Sequence, residues 1–270
     1  MRSITRKGYP VYYYVYDEYT SEKRFQKQIA ALETRITELE LLGKVARLAL
    51  FREPEALLER ELTKSVTTVV VVGNDKTIFR VLNQVVKHRL VLGLLPIGGD
   101  HQVCAQALGI PQTVDACDVL SARTTVAIDT LLLNGKRCMT SVHVPFFEGQ
   151  IAFETYAVVS QRAGVLEIQN LTATEDVDPK KRVNPTDGVC EVLFKPSKEG
   201  FFLWSGRKEQ TQTRLPISHC TLLSKYGIIR GTADGFPIEF PTLHVEVDPG
   251  SVRVISGKDR LFQVVPLAKT

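Results

Sequence analysis

Long apolar runs, cysteine pairs and tryptophan are what this chain has little of. No stretch of about 18 apolar residues occurs, so no membrane-spanning helix is predicted. The five cysteines, Cys104, Cys117, Cys138, Cys190 and Cys220, are odd in number and widely spaced, with no CxxC pair and no Cys/His cluster of zinc spacing. That excludes a disulfide framework and a structural zinc site, and predicts free, buried thiols in a reducing compartment. The opening MRSITRKGYP is basic, but the VYYYVYDEY that follows is too short and too polar for a secretion signal. A cytoplasmic protein is expected, touching the inner face of a membrane at most peripherally. Charge of one sign is also scarce in excess: 34 Lys+Arg against 30 Asp+Glu leave +4. That balance suits phosphorylated ligands or anionic lipid surfaces and falls short of a nucleic-acid binder. What is present is 44% apolar residues in 270, which excludes disorder and suffices for one large domain or two small ones.

The first half alternates strand and helix signals. Val11–Tyr16 is β-rich. Ser21 can cap a helix carrying Phe25, Ile29, Leu32, Ile36 and Leu39 at helical spacing, with Gly43 where it must stop. Lys44–Leu50 reads as a strand, Pro54–Leu62 as a helix with Pro in its first turn, and Val66–Val72 as a strand buried on both faces. A helix over Asp75–Lys87, a strand over Val91–Leu95, and helices near Gln102–Leu108 and Thr113–Leu120 follow. This order predicts an α/β domain with a mostly parallel sheet over residues 1–122.

From Thr124 the pattern changes to period-2 segments between turn residues. TVAIDTLLL, Asn134-Gly135 and KRCMTSVHV form a strong hairpin signal. Further strands are expected at 151–159, 165–171, 189–194, 200–204, 221–225, 227–230, 243–247, 251–255 and 261–265, with 172–188 as a mobile polar loop. Residues 123–270 are therefore expected to be an all-β, sandwich-like domain, strand exchange at the junction being possible in such an arrangement. Asp176, Asp178 and Asp187 read as a solvated acidic loop in preference to a Mg²⁺ site. Phe146-Phe147 and Phe201–Trp204 read as sandwich core, with an acyl-chain pocket as the alternative.

Chemistry concentrates at two turns. Gly73-Asn74-Asp75-Lys76-Thr77 joins a buried strand to a helix, where backbone N–H groups can cradle an anion and a carboxylate and hydroxyl stand ready beside it. The bland alternative is a plain turn with Asn74 or Asp75 as helix cap. After the next strand, Pro96-Ile97-Gly98-Gly99-Asp100 makes a second Gly-rich turn, and two such turns at the carboxyl ends of neighbouring strands lie where open α/β sheets bind ligands.

With these turns in order, the chain resembles the diacylglycerol kinase/sphingosine kinase catalytic-domain superfamily. Gly73–Thr77 matches its GGDGT motif, with Asn83 in the following helix. Pro96–Pro111 matches its PxGTGNDFARxLGIP segment, with an ending, ALGIP, close to the family's own. Asp129 with Asn134-Gly135 matches the domain crossover, and Asp234-Gly235 with Pro249–Val254 the C-terminal block. The resemblance implies an NAD kinase/diacylglycerol kinase-like α/β domain followed by a β-sandwich-like domain. It implies ATP- and Mg²⁺-dependent phosphorylation of a lipid hydroxyl, of a diacylglycerol or related amphiphile, in a cytoplasmic protein that can form a homodimer and binds no nucleic acid. By position, Gly73, Asn74, Asp75, Lys76, Thr77, Gly98, Gly99 and His101 would bind nucleotide, Asp75 would meet the metal, and Asp234 would be the general base.

The matches are incomplete. Asn74 and Lys76 stand for two glycines, of which Asn tolerates φ > 0 and Lys would be strained by about 1 kcal/mol; the Lys76 side chain would either pair with a phosphate or fill its place. Gly99, Asp100, His101 and Gln102 replace all of GTGND after Gly98, Phe236 replaces the Glu of a DGE motif, and Asp17-Glu18-Tyr19 stands where the family has NPxxG. These losses favour, as the alternative, a catalytically silent member that binds a lipid, a nucleotide or a protein partner.

Overall fold

Two sheets carry the fold. The structure, a computed structural model, describes residues 11–48, 54–61, 66–173, 183–197 and 213–264. In chain order the first half holds β1 (Val11–Tyr16), α1 (Gln26–Glu38), β2 (Gly43–Arg47), α2 (Pro54–Glu61), β3 (Val66–Gly73), α3 (Asp75–Lys87), β4 (Val91–Pro96), α4 (Val103–Ala107) and α5 (Ala116–Ala122). The second half holds β5 (Thr125–Leu133), β6 (Lys136–Cys138), β7 (Ser141–Phe147), β8 (Gly149–Ala152), β9 (Ala157–Val159), β10 (Gly164–Gln169), β11 (Cys190–Pro196), β12 (Thr213–Ile217), β13 (His219–Ser224), β14 (Ile229–Ala233), β15 (Phe236–Phe240) and β16 (Thr242–Ile255).

The strands β2-β1-β3-β4 pair in parallel, in that order, and every residue of Val69–Val72 in β3 is buried, because helices cover both faces. The six-stranded sheet β12-β11-β10-β7-β14-β15 is antiparallel throughout. It faces the far part of the ten-stranded sheet, β16-β13-β8-β9, across a second core built on Leu166, Val192, Leu222 and Leu243. The expected class, a mixed, mostly parallel α/β part followed by an antiparallel part, is what forms.

The join between the two parts is one strand. β16 pairs with β13 over Thr242–Glu246, then in parallel with β4 at Arg253 and Val254, while β5 runs antiparallel along its other side. The sequence pattern suggests two strands because Asp248-Pro249-Gly250 interrupts it. In the structure those residues form a bulge, with Gly250 at φ 57° and the register shifting between Asp248 and Val252, and the strand continues past it.

Other departures from expectation have local causes. α1 starts at Gln26 because two 3₁₀ turns, Glu18–Ser21 and Lys23–Phe25, precede it; Ser21 Oγ donates to the Glu18 carbonyl instead of capping. It stops at Glu40, which takes φ 55° and lets Leu41 N–H reach the Ile36 carbonyl at 3.0 Å, so Gly43 is no helix stop. Gly43 opens β2, where a Cβ would overlap the Tyr12 carbonyl group. The expected strand 151–159 is broken into β8 and β9, and 136–144 is broken at Met139-Thr140. β12 and β15, unforeseen, each contain a proline, Pro216 and Pro237; they are the two edges of the six-stranded sheet, where a missing N–H is tolerated. Over 261–264 no strand forms: Leu261 N–H bonds the Ala107 carbonyl and Phe262 packs into the first core. The expected strand 200–204, Asp176 and Asp178 lie outside the described residues. All five cysteines are free and buried.

Gly43→Ala is expected to destabilise the fold by about 2 kcal/mol, since the clashing partner is backbone. Gly99→Ala, where nothing lies within 4 Å of a new Cβ, is expected to change stability by less than about 0.5 kcal/mol. Urea denaturation of the two variants checks the contrast.

Candidate functional site

β3 runs directly into α3. Gly73 ends the strand, Asn74 is the helix N-cap at φ −141°, and its side-chain oxygen accepts from Lys76 N–H at 3.1 Å while Thr77 Oγ1 accepts from Asn74 N–H. The two positions expected to need glycine, Asn74 and Lys76, therefore sit in extended and helical backbone, and neither residue is strained. Gly73 alone is sterically required: a Cβ there would lie 3.2 Å from Thr77 Cβ and 3.3 Å from Asp17 Cβ. Thr77 Oγ1 donates to Asp17 Oδ2 at 2.7 Å, and Arg80 stands 3.9 Å from the same oxygen.

The second turn lies alongside. Ile97 N–H reaches the Gly73 carbonyl at 3.0 Å, and Asp75 N–H reaches the His101 carbonyl at 2.8 Å. Buried Gln102 pins the turn through Nε2, which lies 3.2, 2.9 and 3.4 Å from the carbonyls of Gly73, Ile97 and Gly98. Gly98 (φ 75°) and His101 (φ 55°) take the left-handed conformation. Between the turns opens a cavity of about 270 Å³ lined by Asn74, Lys76, Gly98, Gly99, Asp100 and His101, with Tyr19, Arg24 and Phe25 opposite. Its size fits a phosphate group better than a whole nucleotide, being below the usual range for drug-sized ligands.

The two carboxylates expected to do chemistry face inward. Asp75 accepts from Val103 N–H at 2.8 Å and Cys104 N–H at 3.1 Å, and so caps α4. Asp234, at φ 49° in the β14–β15 turn, accepts from Met139 N–H (2.8 Å), Thr140 N–H (2.7 Å), Thr140 Oγ1 (2.6 Å) and Cys138 Sγ (3.1 Å). Both are almost wholly buried, 3% and 2% exposed. Burial pushes the Asp75 carboxyl up to about 7, and the Asp234 charge adds to the rise. Burial also raises Asp234, against the pull of its donors, and holds Cys104 and Cys138 well above the ordinary thiol range. His101 is lowered, by burial and by the Lys76 charge.

The wall between the two parts of the molecule is aromatic. Phe79 of α3 belongs to the second core and stacks on Phe236, with ring centroids 5.4 Å apart, and Lys136 Nζ lies 4.8 Å from the Phe79 centroid. Phe236 thus fills with a ring the position where the motif would place a carboxylate. The other matched residues are structural: Asp129 accepts from Gly188 and Gly250 N–H, and Asn83 bridges Gly135 and Arg137 of the β5–β6 hairpin. Asp187 turns back on Val189 N–H.

Residues 13–133, from β1 to the end of β5, match the family model of the diacylglycerol kinase catalytic domain. Over that stretch the chain is diacylglycerol kinase-like. A diacylglycerol kinase crystal structure from Bacillus anthracis str. Sterne superposes with a TM-score of 0.72 at 13% identity, over 93% of this chain and 98% of that one. A second structure from the same strain, of a candidate diacylglycerol kinase, gives 0.74 at 12% identity, over 96% and 100%. At such identities the likeness establishes the fold. No curated protein sequence matches the chain.

Sequence reasoning passed over four residues that shape this site. Asp17 was visible only as the absence of an NPxxG turn, and Gln102 only as a lost motif residue. Tyr19, whose hydroxyl donates to the Ile97 carbonyl, and Arg24 lie in 3₁₀ turns that carry no periodic signal.

With Asp75 raised from 3.8 to about 7, the native state binds more protons than the unfolded chain between these values. Its stabilising contribution is complete below about pH 4 and lost as pH rises through about 7. Wild-type Tm is expected to rise when pH is lowered from 7.5 to 5.5, and Asp75→Asn to reduce that rise, as calorimetry at the two pH values would show.

Proposed function

We propose that this member of a lipid kinase-like family binds the phosphate end of a nucleotide, ATP or ADP, in the cavity between the α3 N-terminus and the Gly98–His101 turn, and does not transfer the phosphoryl group. The observation that carries the reading is the occupation of both carboxylates. Phosphoryl transfer needs a base within reach of the acceptor hydroxyl and a charge clamp on the phosphates. Asp75 spends both oxygens on backbone N–H groups, Asp234 spends both on four donors, and the third position is Phe236.

Mg²⁺ does not fit the residues present. A hard cation takes several unengaged oxygens, whereas those of Asp75 and Asp234 already accept hydrogen bonds, and the described residues contain no cluster of three or more His, Cys, Asp or Glu placed for a metal. The cavity instead offers Lys76 and Arg24, the latter 2.8 Å from Glu22, beside the positive end of the α3 dipole, with Asp100 as the one acid in its lining. In this reading the Lys76 side chain meets a phosphate, since the backbone N–H groups of Asn74 and Lys76 already donate to Thr77 Oγ1 and Asn74 Oδ1; residues 1–122 carry the nucleotide, and residues 123–270 face a lipid of the diacylglycerol class at a membrane surface.

One observation favours a second reading, ATP-dependent phosphorylation of a lipid hydroxyl. A carboxyl near 7 beside a second carboxylate is a general base in waiting, and Asp75 with Asp234 has that character. One experiment separates the two. Titration calorimetry with ADP is expected to give binding unaffected by EDTA and weakened about tenfold or more in Lys76→Ala, the loss of one charge-assisted contact. Incubation with ATP, Mg²⁺ and diacylglycerol vesicles is expected to give no phosphorylated lipid above a protein-free control. Product that disappears in Asp75→Asn would replace this reading with the kinase one, and absence of any ADP binding would remove the nucleotide.

Asp234→Ala is expected to act on stability before activity. Stranding the Met139 and Thr140 donors in the interior would cost about 3 kcal/mol or more, measurable by urea denaturation.

A further inference from the structure

We infer that His101 is the plug that separates the phosphate cavity from the buried Asp75–Asp234 pair, and that the size of the side chain at this position decides whether a ligand reaches those carboxylates. The inference deepens the nucleotide-cavity reading and rests on it for the identity of the ligand, but its geometry stands separately.

Three observations converge on the ring. Its backbone is held in place: His101 takes φ 55°, its carbonyl accepts from Asp75 N–H, and the next residue, Gln102, is anchored to three carbonyls. A non-glycine residue in the left-handed region that is fixed from both sides projects its side chain in one direction. That direction is across the interface, onto Gly235. A Cβ at Gly235 would lie 2.8 Å from His101 Cε1 and 3.1 Å from Cγ, so the ring rests on bare backbone next to Asp234. On its other side the same ring lines the cavity shared with Lys76 and Asn74. His101 thus touches the ligand space on one side and the residue after Asp234 on the other, and its backbone is bonded to Asp75.

The fit is mutual. Gly235, at φ 74°, supplies the hollow, and the turn that carries it is fixed by the four donors on Asp234. Cys104 and Cys138, both fully buried, are tied to the two carboxylates, the first bonded through its backbone to Asp75 and the second through its thiol to Asp234. These thiols report on whatever passes the plug.

The experiment compares wild type with His101→Gly and His101→Phe. Glycine adopts φ 55° without strain, so His101→Gly keeps the turn. Native-state labelling with iodoacetamide, mapped by mass spectrometry, is expected to rise about tenfold or more at Cys104 and Cys138 in His101→Gly, with Cys190 and Cys220 unchanged as internal controls. His101→Phe, which restores a ring, is expected to return both to the wild-type rate. Unchanged labelling of Cys104 and Cys138 in His101→Gly would overturn the plug, and so would a rise of equal size at all four thiols, which marks general loosening. ADP titration of the same proteins keeps the two readings apart. Selective labelling without ADP binding in any variant leaves the plug standing and removes the nucleotide, whereas ADP binding without selective labelling does the reverse.

Discussion

A carboxylate taken out of water must find donors or give up its charge, and three buried aspartates that obey this rule hold the molecule together. Asp75 collects the first N–H groups of α4, fixing the helix against the end of β3. Asp234 collects Cys138, Met139 and Thr140, and so sets the kink between β6 and β7. Asp129 collects Gly188 and Gly250, joining a loop to the bulge of the longest strand. Each aspartate connects segments far apart in sequence through the hydrogen bonds its oxygens accept.

Those bonds explain how a fold built around a ligand cleft can stay intact after its motif residues have changed. The turn into α3 needs no glycine at positions 74 and 76, because Asn74 and Thr77 close a capping box that any ordinary helix start would accept. Phe236 stacks on Phe79, which ties part of α3 to the second core. The cavity between the two turns is small, with Lys76, Arg24 and Asp100 as the charged groups in its lining.

Much of this was legible in the residues. The parallel order came from the continuous apolar runs of β3 and β4, and the Asn134-Gly135 hairpin from its left-handed pair, φ 50° and 86°. Edge strands with Pro216 and Pro237 were illegible because proline argues against a strand unless its edge position is known. The fate of Asp75 and Asp234 was hidden for a different reason. A sequence shows which side chains can accept hydrogen bonds, but the donors that claim them, on α4 and at Cys138–Thr140, are brought there only by tertiary structure. His101 stood out for its place in the turn, and its function as a contact depends on a glycine 134 positions later in the chain.

β16 has a consequence for the order of events during synthesis. The parallel sheet that begins with β1 is finished by Arg253 and Val254 beside β4, so its last neighbour leaves the ribosome long after β4 itself. Domains that fold as units usually do so as they emerge. Here the edge of β4 stays bare while more than half of the chain is still being made, and the first half has to wait, half-finished and in need of shielding, for a strand that the second half delivers.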